Sequence, residues 1–281
     1  MQCVTYYFAI GFTASIVLTL AAIKLKVIRR DAAPAAVLIG TLISLSGPLT
    51  VLFFIIFLFL STIVTRLGAS RKRALGVGSD LEGRTARQVM AVGIIPGIIS
   101  AAAAIHPSNE LLDLLVVSIA TSSADTWASE IGILSKSQPR LIIKPWIKIS
   151  PGTSGGITIL GELGSAAGSA AMIMTALLIS RAAALLPFPA SYVWLASPPS
   201  NYPILWLVGY IGEVMDSALG ALLQPKYLCP KCGVTTDYEV HHCGTRALRI
   251  RWGIASNELI NLLATCVALG LALVIIHPMP L

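Results

Sequence analysis

Long apolar runs separated by short basic clusters dominate the pattern of this chain. Residues 4–22 read as a first span, 49–65 as a full one and 254–276 as the last. Between Arg87 and Lys136 the chain turns at 106–110, and between Lys148 and Lys226 it turns at the proline-rich 186–203, so each stretch crosses twice. Residues 35–45 make a shorter arm, cut from 49–65 by Ser46, Gly47 and Pro48; it is tilted, re-entrant or laid on neighbouring helices. At about 20 residues per span, the pattern predicts an all-α, polytopic transmembrane helix bundle of about eight spans, with seven or nine as the neighbouring counts.

Charge orients that bundle. Lys and Arg gather at 24–30, 66–87, 136–148 and 226–251, and short loops rich in these residues stay cytoplasmic. All four clusters are therefore expected on one side, with both termini outside, in a multi-pass protein of the cell membrane. The composition, 56% hydrophobic and 12% charged, carries about half the charge of soluble domains. The net charge of +7 is thus read as membrane orientation and not as a nucleic-acid surface. No positive flank or small-residue cleavage site precedes 4–22, so the whole chain, 1–281, is expected to persist as one integral membrane domain. A cytoplasmic loop, 225–253, is inserted between its last two spans.

Ionisable groups inside apolar segments are functional candidates by default. Asp125 and Glu130 end the fifth span, Glu213 and Asp216 share a face of the seventh, and Asn257 and Asn261 share a face where the eighth opens. The run Pro151-Gly-Thr-Ser-Gly-Gly156 is read as the opening of the sixth span. All converge at one depth on the cytoplasmic side. Asp125, Glu130 and Asp216 suit Mg²⁺, which takes a few carboxylates together with polyphosphate oxygens. Gly152, Thr153, Ser154, Gly155 and Gly156 suit a phosphate at a helix start, although the run lacks the Gly-Lys-Ser/Thr ending of a Walker A loop. Lys148, Arg84 and Arg87 supply positive charge. Gly161, Gly164 and Gly168 read as packing residues, and Glu162 faces the pocket or pairs with Arg181.

At four of these places, Ala124-Asp-Thr-Trp-Ala-Ser-Glu-Ile-Gly132, Pro151-Gly-Thr-Ser-Gly-Gly156, Asp216-Ser-Ala-Leu-Gly-Ala-Leu-Leu-Gln224 and Ser256-Asn-Glu-Leu-Ile-Asn261, the chain resembles the transmembrane protein 19 family, which includes the phytyl-phosphate kinases. It departs from that pattern at Ser123 and Val92. The resemblance implies transfer of the terminal phosphoryl group of a nucleoside triphosphate, CTP above others, to a phytyl, geranylgeranyl or farnesyl monophosphate. Asp125, Glu130 and Asp216 would then hold Mg²⁺, while Arg84, Lys148, residues 152–156, Asn257 and Asn261 position phosphates, and the prenyl chain lies among membrane lipids. A free polyprenol kinase and a secondary transporter are the alternatives. A carrier needs polar groups reachable from both faces, whereas the outer loops and outer helix halves read as nearly bare of charge.

Cysteine usage adds a separate feature. Cys229 and Cys232, followed by His241, His242, Cys243 and Gly244, have metal-ligand spacing in a loop where disulfides are disfavoured. A structural Zn²⁺ on Cys229, Cys232, Cys243 and His242, with His241 as the alternative, is expected.

Overall fold

The computed structural model describes residues 2–77, 79–185 and 202–276. Its helices are α1 (Gln2–Lys24), α2 (Ala33–Ser44), α3 (Pro48–Arg66), α4 (Ala69–Ala74), α5 (Ala86–Ile105), α6 (Asn109–Gly132), α7 (Ile159–Ala183), α8 (Tyr202–Leu223) and α9 (Asn257–Ile276). Six of them, α3 and α5 to α9, are long and apolar enough to cross a membrane, and α1 adds a shorter apolar stretch, Phe8–Lys24. The predicted helix bundle is borne out. The turn expected at 186–203 lies, but for its last two residues, outside the described residues.

Local chemistry starts and stops these helices. Thr85 and Gln88 form a reciprocal capping box at the start of α5, and Ser108 and Thr158 cap α6 and α7 by accepting from the third residue on. Gly47, at a φ of 106° that a residue with a Cβ avoids, admits the sharp break before Pro48. With 12 residues, α2 spans about 18 Å, well short of a hydrocarbon core of about 30 Å. It packs on α1, α3 and α5, and its non-helical end at Ser46 and Gly47 is buried in protein. That is the condition under which irregular backbone is tolerated at membrane depth.

The bundle is built round α6, which packs on α3, α5, α7, α8 and α9. Within its most apolar window 61% is buried inside the protein, against 28% for α9, so α6 is the core helix and α9 faces outward. Small residues bring α7 against it. A Cβ added at Gly161, Gly164 or Gly168 would meet the carbonyl oxygens of Ala128, Trp127 and Ser123 at 3.0, 2.8 and 2.8 Å. The packing role expected of these glycines is therefore met by direct contact between two backbones. Along the seam between α7 and α8 runs a polar ladder: Glu162 accepts from the Tyr210 hydroxyl at 2.9 Å, Ser165 donates to Glu213 at 3.1 Å, and Ser169 donates to the Trp206 carbonyl at 2.8 Å. Glu162 thus takes Tyr210 as its partner, and not Arg181.

The basic clusters lie together at one end. Ile28 pairs with Arg84 in an isolated bridge, Arg66 donates to the Leu25 carbonyl, Arg71 to the Ser135 carbonyl, and Thr153 to the Thr235 carbonyl. Two small antiparallel sheets complete this end, an addition to the all-α expectation. Strands β1 (Arg140–Leu141), β2 (Lys144–Lys148) and β3 (Gly156–Ile157) pair in the order β2-β1-β3. Strands β4 (Lys226–Leu228), β5 (Thr235–Thr236) and β6 (Leu248–Arg251) pair in the order β5-β4-β6. Arg251 binds the second sheet to the bundle by donating to the carbonyls of Ala221 and Gln224 at the end of α8, where the helix dipole favours a cation.

Candidate functional site

Three helices bring the site together. Asp125 stands in the last two turns of α6, Asp216 in the second half of α8, and Asn261 one turn into α9. The Asn261 amide lies between the two carboxylates. With its nitrogen turned one way it donates to Asp216 Oδ2 at 3.0 Å and to the Asn257 carbonyl at 2.9 Å; turned the other way it reaches Asp125 Oδ2 at 3.5 Å. One amide serves one acid at a time, so two carboxylates and a carbonyl oxygen face a common space. That donor set is all hard oxygen and fits a small divalent cation. Glu213, three residues before Asp216 on the same helix, is buried and accepts from Ser165 and Ser217.

From this centre a chain of polar contacts runs to the glycine-rich loop. Asn257 accepts from Gln224 at 3.3 Å, and the hydroxyl of Ser154 makes close contacts with both Gln224 and Asp237. Asp125, Asp216, Asn257, Asn261 and Ser154 therefore belong to one connected cluster. Arg84 reaches α6 at the residue after Asp125, its guanidinium 3.5 Å from the Thr126 hydroxyl and over the ring of Phe57.

Glu130 stands apart from the other two acids. Five residues from Asp125, it projects about 140° round the helix at 100° per residue. Its carboxylate forms a 2.6 Å ion pair with Lys72, which is 1% exposed and also donates to the carbonyls of Val64 and Thr65 at the end of α3. Glu130 thus has a buried cation of its own in Lys72, away from the Asn261 amide at which Asp125 and Asp216 meet. Lys148 is exposed on β2.

The loop 151–156 is likewise not a helix start. It leads into β3, and α7 begins only after the Thr158 cap. An anion already sits on it: the Ser154 amide donates to Asp237 Oδ2 at 2.7 Å, and Lys226 bridges Asp237 at 2.5 Å and the Ser154 carbonyl at 3.0 Å. Burial pushes the Lys226 ammonium below the ordinary lysine range, against the opposing pull of Asp237. Gly155, at a φ of 77°, has its α-carbon so close to α8 that a Cβ would fall 2.4 Å from that of Ala221.

A basic cleft of about 940 Å³ was not foreseen as a unit. Among the described residues, Lys24, Lys26, Arg29, Arg30 and Arg73 line it together with Glu82. A smaller recess shares Lys26 and Leu81 with it and includes Arg84. The residues are visible in the sequence as membrane-flanking cations; the bridge between Ile28 and Arg84 is what brings 24–30 next to Arg84. Asp113, fully buried at the opposite end of α6, is an ionisable group that the sequence reading did not single out in the half it reads as nearly bare of charge.

The cysteine motif closes as a cluster with one substitution. Cys229, Cys232, His241 and Cys243 present ligand atoms all within 4.8 Å of one another, whereas His242 is exposed, its ring over Gly76. Hydrogen bonds from Thr245 and His241 pull the Cys243 thiol down to about 5.

Residues 13–269 match the family model described as integral membrane protein DUF92. An uncharacterized membrane protein of Methanocaldococcus jannaschii is 32% identical over 211 residues, which cover 75% of this chain and 69% of that protein. Protein PGR of Arabidopsis thaliana is 35% identical over 112 residues, 39% of this chain and 36% of that protein. No solved structure matches.

Proposed function

We propose, for a chain that belongs to the integral membrane protein DUF92 family, that it is a prenyl-phosphate kinase which moves the terminal phosphoryl group of a nucleoside triphosphate, CTP by preference, onto an isoprenyl monophosphate. The resemblance read from the four motifs is borne out at the level of the family. The observation that carries the reading is the meeting of Asp125, Asp216 and Asn261 from three helices; Arg84 near Thr126 and a cleft lined by cations support it.

Phosphoryl transfer to a phosphate asks the protein for alignment and charge neutralisation. An acceptor phosphate oxygen bonds to the terminal phosphorus, the bond from that phosphorus to the bridging oxygen breaks, and the nucleoside diphosphate leaves with the electron pair. The acceptor is already an anion, so no residue needs to remove a proton. Asp125 and Asp216 would hold Mg²⁺, which when bound would supply neutralisation of the charge on the donor phosphates. Arg84 and the cleft cations draw the anionic groups of donor and acceptor to the membrane edge. Asn257 and Asn261 orient the phosphates, and the prenyl chain extends between helices into lipid.

The test uses purified protein in liposomes with terminally labelled CTP or ATP, offered farnesyl, geranylgeranyl and phytyl monophosphates and the corresponding alcohols. Label in a prenyl diphosphate is the expected result. Label in a monophosphate alone would replace the reading by a free-alcohol kinase, and no transfer in the presence of Mg²⁺ would favour a carrier. The proposed orientation, with the basic end cytoplasmic, predicts that cysteines placed at Arg29 and Arg140, in a background lacking the native cysteines, react with an impermeant thiol reagent in inside-out vesicles only. Opposite labelling of the two would sink the one-sided site.

A further inference from the structure

Two turns of the loop 225–253 have the same design. Each carries a pair of ligand-type side chains and ends on a glycine of positive φ immediately after a cysteine: Cys229 and Cys232 before Gly233 at 67°, His241 and Cys243 before Gly244 at 80°. In each turn the glycine amide bonds back to the carbonyl of the first ligand residue, Gly233 to Cys229 and Gly244 to His241, both at 2.8 Å. Such turns aim two side chains at one point. Here the turns face each other, so four side chains share it. The Cys229 and Cys243 sulfurs are 3.7 Å apart, and His241 Nδ1 is 3.2 Å from the Cys243 sulfur. Tetrahedral zinc, with bonds of about 2.3 Å to sulfur and about 2.0 Å to nitrogen, sets sulfurs about 3.8 Å apart and sulfur and nitrogen about 3.6 Å apart. These two pairs already have nearly those separations, and all four ligand atoms lie within 4.8 Å of one another.

What lies between the two turns gives the site a purpose. Residues 233–240 join them and carry Thr235 and Asp237, the residues that grip the glycine-rich loop. Thr153 donates to the Thr235 carbonyl at 3.2 Å, the Thr235 amide donates to Ser150 Oγ at 3.2 Å, and Asp237 holds the Ser154 amide. A cross-link of the turns at both ends of this segment fixes the position of every one of these groups. We propose that Cys229, Cys232, His241 and Cys243 bind one Zn²⁺ ion, and that this zinc holds segment 233–240 in the shape that docks on loop 150–154. The zinc thereby positions Ser154 and, through Gln224 and Asn257, the edge of the carboxylate cluster, without touching substrate.

The experiment is metal analysis and hydrogen–deuterium exchange on the full-length protein in detergent, which read the proposal without reference to phosphoryl transfer. The parent is expected to hold one zinc per chain, and Cys229→Ser and Cys243→Ser to lose it, with His242→Ala retaining it. On zinc removal by a chelator, amide exchange across 150–156 should rise at least tenfold while exchange in the interior of α6 stays unchanged. Asp237→Asn separates the two halves of the idea: it keeps the zinc yet shows the same faster exchange. Less than stoichiometric zinc after purification with zinc supplied, or a disulfide between Cys229 and Cys243 in its place, would overturn the metal site. Unchanged exchange across 150–156 in the zinc-free protein would overturn the positioning role.

Discussion

Asp125→Asn or Asp216→Asn lowers phosphoryl transfer at least about a hundredfold, the scale seen when one preorganised charge-stabilising group is removed from a transfer site, and leaves the protein as stable as the parent or more so. The sign of the stability change follows from the geometry. Two carboxylates meet at a single amide that can donate to only one of them, so neutralising either relieves repulsion. Loss of function with unchanged or improved thermal stability is the signature of groups kept for chemistry against the interest of folding. Activity and unfolding temperature, measured over a Mg²⁺ titration, decide the matter. Full transfer in either stable mutant would remove that acid from the site, and a large fall in stability would make it a structural residue.

Lys72→Met gives the opposite pattern. The ammonium is buried against Glu130 and two carbonyls at the end of α3, and breaking a buried pair from one side costs about 3 to 5 kcal/mol. Glu130→Gln should shift unfolding in the same direction. Pairing Lys72→Met with Glu130→Leu should recover part of the loss, because an apolar pair removes both charges together. Thermal unfolding of the three variants in detergent reads this directly. A Glu130→Gln protein of parental stability that has lost transfer would return Glu130 to the metal site.

These two acids show where sequence reading succeeds and where it stops. Asp125, Asp216 and Asn261 were legible because polar groups in apolar runs are rare, and the span pattern alone brings them to one depth. Glu130 has the same local signal, yet its partner is one of three consecutive cations, Arg71, Lys72 and Arg73, and only the fold, which sets Lys72 between the end of α3 and Glu130, selects the middle one. The start of α7, the expected sixth span, illustrates a missed local cue. Thr158, with its hydroxyl free to cap Gly161, marks the true start, but the glycines at 152, 155 and 156 drew the boundary forward. Nor could spacing choose between His241 and His242, since adjacent residues differ by less than the slack in the loop; the backbone turn that ends at Gly244 makes the choice. The strand pairings at the basic end leave no periodic trace in such short strands, and neither does the contact between the Thr235 amide and Ser150, 85 residues apart in sequence.

The seam between α6 and α7 leaves Asp125 little freedom of placement. At Gly161, Gly164 and Gly168 the backbone of α7 lies against carbonyl oxygens of α6, with Trp127 and Ile131 wedged beside it. Gly209 and Gly212 seat α8 as closely on Ala120 and Thr121. A larger residue at any of these glycines would have to displace α6 itself, and the carboxylate of Asp125 would travel with it.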